Sequence, residues 1–68
     1  MIFTKDTTVS EVLGVKPQAK TTFEKYIGRP VQDWEIASAA GMSLQMVASY
    51  VGMPTATLEA MIKQLNES

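Results

Sequence analysis

Asp33 and Glu35 stand two residues apart, and they are the pair to test first as a general acid and base. On a helix that separation sends two side chains to different faces, so they read as solvated surface charge and not as a catalytic dyad. The chain has no His and no Cys. That excludes a disulfide, a thiolate or imidazole metal site and a Cys or His catalyst. The glycines are solitary, with no G-x-G-x-x-G or G-x-x-x-x-G-K grouping, so no phosphate cradle is present. The Lys, Tyr and hydroxyl side chains that remain sit in no setting that would tune a pKa. The expectation is a protein that is not an enzyme and holds neither metal nor cofactor.

A second constellation lies near the end of the chain. Val47-Ala48, Gly52, Leu58 and Met61 have the spacing of a helix-turn-helix, in which a small residue permits close crossing, Gly the sharp turn, and later apolar residues the lock. Those requirements concern packing. Reading DNA needs cations for phosphate and polar donors for base edges, and the charge falls the wrong way. Residues 1–30 hold Lys5, Lys16, Lys20, Lys25 and Arg29 against Asp6, Glu11 and Glu24, a net +2. Residues 31–68 hold Lys63 alone against Asp33, Glu35, Glu59 and Glu67, a net −3. The second helix of the motif therefore sits in the acidic half, and nucleic acid is not the expected partner. A helix-turn-helix regulator binding DNA as a dimer, with Thr55, Thr57, Lys63 and Gln64 as readers, is the alternative.

These residues must be positioned by a chain of 68 residues, short enough to bury only about 60% of its unfolded surface. It must pack well or find a partner. Its apolar fraction of 46% is that of a globular chain, and no apolar run approaches the ~18 residues of a membrane span. The first six residues carry no export signal, so a cytoplasmic location is expected.

Glycine and proline divide the chain into helices. Gly14, Gly28, Gly41 and Gly52 each close a stretch of helical spacing, where a left-handed C-cap is wanted. Pro17, Pro30 and Pro54 follow three of them at distances suiting the first turn of the next helix. Thr8-Val9-Ser10-Glu11 is a capping-box pattern, followed by Val9, Val12 and Leu13 on one face. A second helix runs from about Pro17 to Ile27 with Ala19, Phe23, Tyr26 and Ile27 inward. A third, from about Val31 to Ala40, carries Trp34, with Asp33 and Glu35 near its positive end. Ser43 is placed to cap a fourth, whose inner side is Leu44, Val47, Ala48 and Val51. Thr55 or Thr57 starts a fifth, with Leu58, Met61, Ile62 and Leu65 in the clearest stripe of all. Ile2 and Phe3 read as an extended arm before a Lys-Asp turn. The expected architecture is all-α, a compact bundle of about five short helices forming one domain over residues 1–68, with a short extended N-terminal arm.

The succession from Ile2 to Leu13, then Phe23-Glu24-Lys25-Tyr26, then Ser43-Leu44 with Val47-Ala48 and Gly52, then Leu58, Ile62, Leu65 and Asn66, resembles the small helical domain of unknown function at the N-terminus of ScdA-type di-iron repair proteins. The resemblance covers most of the chain and implies the same helical fold with an association with iron, nitrogen-oxide and anaerobic metabolism. That family usually carries G-x-x-C-x-x-C-P after its second helix. One alignment puts Val31 and Trp34 at the two Cys positions and another puts Tyr26 and Arg29 there. Either way both sulfurs are missing, and thiol chemistry does not carry over.

The segment that replaces the dithiol contains Tyr26, Arg29, Pro30, Val31 and Trp34, a composition suited to protein contact because Trp, Tyr and Arg dominate interface hot spots. Those five residues are the expected interaction patch. In a chain with five aromatics the largest is wanted inside, so core filling is the favoured reading of Trp34 with an interface place as its alternative, while Arg29 is read as exposed. Met42, Met46, Met53 and Met61 are read as gap-fillers near helix junctions. Five short helices are expected to leave little room for a ligand pocket of ~300 Å³. The sequence thus reads as a non-catalytic interaction module for a protein partner or for a second copy of itself.

Overall fold

The computed structural model describes residues 2–67 and has five helices: α1 (Val9–Val15), α2 (Ala19–Ile27), α3 (Asp33–Ala39), α4 (Leu44–Val51) and α5 (Thr55–Glu67). No strand occurs among the described residues, and the one β-bridge pairs Thr8 with Ser43. The protein is all-α. Helix α2 packs on α1 and, most extensively, on α5, which also packs on α4.

The N-termini of α1 and α4 are completed by each other's flanking segments. The first amides of a helix have no partner within it. In α1 the N–H of Val9 donates to the Met42 carbonyl and that of Ser10 to the Ala40 carbonyl, both at 3.0 Å. Thr8 and Glu11 form the expected capping box. In α4 the N–H of Leu44 donates to the Thr7 carbonyl at 2.9 Å and that of Gln45 to the Lys5 carbonyl at 3.0 Å, while the Ser43 hydroxyl accepts from Met46. The extended arm is thereby tied to the α3–α4 connection, and no first-turn amide of α4 is left for an anion.

The arm's other anchor is α5. Phe3 is 2% exposed, and its backbone exchanges two hydrogen bonds with the Asn66 side chain. The Lys16 ammonium donates to the Leu65 carbonyl and lies 6.0 Å from the Phe3 ring centroid, a cation held at the negative end of α5. Ile2, the other arm residue, faces solvent. The core joins Phe3 to Val9, Val12, Ala19, Phe23, Leu44, Ala48, Leu58, Met61 and Leu65. The inner positions expected on α1, α2, α4 and α5 are therefore buried or packed against it, except Val51, which is half-buried and stands outside this cluster.

Three details differ from the sequence reading. Gly14 lies inside α1, which is capped two residues later by Lys16, its N–H donating to the Val12 carbonyl, and α3 ends at Ala39 with Ala40 as its cap, before Gly41. Only Gly28 and Gly52 among the described residues have positive φ and cap left-handed, as expected of them. Helices α2 and α3 also start two residues later than expected, leaving Pro17 and Pro30 in the connections.

Candidate interaction site

Two backbone amides of the connection between α2 and α3, those of Val31 and Gln32, are held by carboxylates from the two helices. Gly28 ends α2 at φ 89°, its N–H donating to the Glu24 carbonyl. The Glu24 carboxylate then accepts the Val31 N–H at 2.8 Å, and the Glu35 carboxylate accepts the Gln32 N–H at 3.0 Å. Arg29 lays its fork on the same Glu35, with Nη2 to Oε2 at 2.9 Å and Nη1 to Oε1 at 3.3 Å. Planar two-point pairing of this kind is more directional than a Lys contact. Hydrogen bonding from Arg29, and then from the Gln32 backbone, holds Glu35 below the usual carboxylate range; the same bond raises the Arg29 pKa. Neither group is poised to move a proton near neutral pH. Lys20 and Asp33 add a solvent-exposed pair at 3.2 Å, of little energetic weight.

This fixed loop forms one wall of a groove of about 310 Å³ between α2, α3 and α4. Buried Val9 and Phe23 contribute to its lining, as do Ile36, Val47 and Val51. Its two exposed aromatics are Trp34, 69% exposed, and Tyr50, 83% exposed. Arg29 and Glu35 are the charged groups among the lining residues, and they face each other. Among the described residues no buried side-chain nitrogen or oxygen lacks a hydrogen-bond partner, so no buried polar group behind the groove is left unpaired.

Of the five residues expected to form the patch, Arg29, Val31 and Trp34 line the groove together. Pro30 is exposed beside it, its carbonyl accepting from Arg29. Tyr26 is half-buried and serves α5 instead, its hydroxyl donating to Gln64 Oε1 at 2.8 Å. The expectation of a buried Trp34 is corrected. The apolar positions of α3 that pack on the core are Ile36 and Ala39, three apart, and Trp34 is two residues before Ile36, hence on a different side of the helix. The expectation that no pocket of this size fits is corrected as well: α3 contributes no buried residue and covers α2 and α4 only partly.

Tyr50 was not singled out by the sequence reading. A usable signal exists: from Ile36 to Leu58 there is no charged residue, and within that run Met46 and Tyr50 lie four apart, outside the inward stripe of α4.

A second cavity, of about 330 Å³, lies between the arm, α4 and α5, where Lys5, Gln45, Ser49 and Glu59 mix polar and opposite-charge groups. Among the described residues no group of three His, Cys, Asp or Glu side chains is placed to hold a metal ion, and no helix is long and apolar enough to cross a membrane. Comparison with protein-family models, with curated proteins and with solved structures gives no match.

Proposed function

We propose that the protein is a non-catalytic interaction module of the cytoplasm that binds a protein through the groove between α2, α3 and α4. The observation that carries this reading is the pair of exposed aromatics, Trp34 and Tyr50, on the edge of an apolar groove whose loop wall is already rigid. Aromatic anchors cost little side-chain entropy to immobilise, and a pre-formed wall reduces what binding must order. The ScdA-type membership, with its association with iron and nitrogen-oxide metabolism, belongs to the same proposal and rests on the order of motifs in the sequence.

The DNA-binding alternative finds less support. One of its readers, Gln64, accepts hydrogen bonds from Tyr26 and Lys25, and Glu59 is exposed on the outer side of α5. That carboxylate lies four residues before Lys63, on the same side of the helix, and offsets the cation a phosphate backbone would seek there.

The test is site-specific photo-cross-linking in the cells that make the protein, with a photoreactive amino acid replacing Trp34 and, as control, Lys63. Capture of one defined protein from position 34, absent from position 63, is expected. Equal capture from both positions, or none from position 34, would overturn the reading.

A further inference from the structure

Resting on that reading of the groove, we propose that its occupant is a second copy of this chain, docked across a two-fold axis so that Tyr50 of each protomer enters the groove of the other. Three observations converge on this partner. The first is the character of α4. Its inward side carries Leu44, Val47, Ala48 and Val51, yet Met46 and Tyr50 on the outside are 56% and 83% exposed, and the helix has no charge. The polar positions of the helix, Gln45 and Ser49, border the cavity beside α5, so Met46 and Tyr50 leave the rest of its outer side apolar and uncharged.

The second is charge. A patch that meets its own copy brings each charge near its like, so it must be neutral or internally paired. The run from Ile36 to Leu58 is uncharged, whereas residues 1–30 carry eight charges. The two charged groups on the groove, Arg29 and Glu35, cancel in a fork. An acidic or basic partner would find no opposite field on this face; a second copy needs none. Depletion of charge with Met and aromatic side chains is also the composition of interface centres.

The third is shape. Isologous contact requires projection and recess on one face, and Tyr50 projects from the helix whose Val47 and Val51 line the recess. A groove of about 310 Å³ is at the bottom of the range for small-ligand sites, roughly 300–1,000 Å³, and suits a few side chains better than a cofactor. Docking would also cover α3, which buries no residue in the protomer.

The experiment is light scattering of the purified chain over about 10 μM to 1 mM, spanning the affinities of small transient interfaces. The mass is expected to rise from 7.4 kDa toward twice that value with concentration. Tyr50→Glu is expected to hold the mass at one chain, weakening association at least about tenfold with circular dichroism unchanged, while Tyr50→Phe retains it. A mass of 7.4 kDa at every concentration overturns self-association. So does a dimer that Tyr50→Glu leaves intact. A monomer whose position 34 cross-links to a different protein sinks this proposal while sustaining the interaction-module reading; a monomer without cross-links sinks both.

Discussion

Phe3 and Asn66 join the two ends of the described chain by a reciprocal pair of hydrogen bonds: the Phe3 N–H donates to Asn66 Oδ1 at 2.7 Å, and Asn66 Nδ2 donates to the Phe3 carbonyl at 3.0 Å. Asn suits this place because one planar amide offers both a donor and an acceptor to an extended backbone. The bonds anchor the arm whose Phe3 ring is buried in the same core as Leu65.

Asn66→Ala is therefore expected to lower unfolding free energy by about 1–2 kcal/mol, the net worth of two such bonds in partial exposure. Asn66→Asp, which can accept from Phe3 but cannot donate back while ionised, falls between the two. Urea unfolding followed by circular dichroism checks the order. Equal stability of all three proteins would mean that the arm holds by Phe3 burial alone.

The four glycines are expected to divide by backbone conformation. Gly52 has φ 76° and an ideal Cβ there meets nothing within 4 Å, so Gly52→Ala fails on conformation and not on space. It should cost about 1–2 kcal/mol. Gly14 sits inside α1 with the same open surroundings and no positive φ, so Gly14→Ala should stabilise by about 0.5–1 kcal/mol. Thermal midpoints moving in opposite directions are the signature; a loss at both positions would contradict the assignment of Gly14 to the helix.

Acid should act through two capping carboxylates. Glu11 is held below its ordinary pKa by the Thr8 backbone N–H and then its hydroxyl, and Glu35 by Arg29 and then the Gln32 N–H. In the interval between the folded and unfolded values the unfolded chain binds more protons, so stability rises with pH there. The contribution is complete above the unfolded value of about 4.3 and is lost as pH falls through the depressed folded values. Urea midpoints between about pH 6 and pH 3 should drop less for a Glu11→Gln, Glu35→Gln double variant than for the parent. An equal drop would place the acid sensitivity elsewhere.

How much of this was readable from the sequence depends on what each residue reports. The Thr8-to-Glu11 box, the Ser43 cap and the left-handed Gly28 and Gly52 are local, and local spacing predicts them. The stripe of Leu58, Met61 and Leu65 identifies the inner side of a helix that is covered along its length. Trp34 shows the limit. Its size suggests burial, but α3 has a single narrow inner edge at Ile36 and Ala39, and whether a neighbouring helix reaches over the rest is a tertiary matter. The Glu24 and Glu35 clamps on the Val31 and Gln32 amides depend on how α2 and α3 meet, and nothing in one sequence announces that meeting. Tyr50 differs again: the uncharged run around it was visible, and only its exposure gives the run a meaning.

An interaction module of this kind requires that Trp34 be exposed in the protomer and covered on binding. The most direct measurement is the fluorescence emission and acrylamide quenching of Trp34, the single Trp of the chain, in a dilute, folded, monomeric sample. Emission close to that of an indole in water and ready quenching are expected, both reversed as the partner surface docks, with Trp34→Phe leaving stability within about 0.5 kcal/mol. Blue-shifted emission and protection from acrylamide in the dilute monomer would put Trp34 in the core and remove the groove's exposed edge.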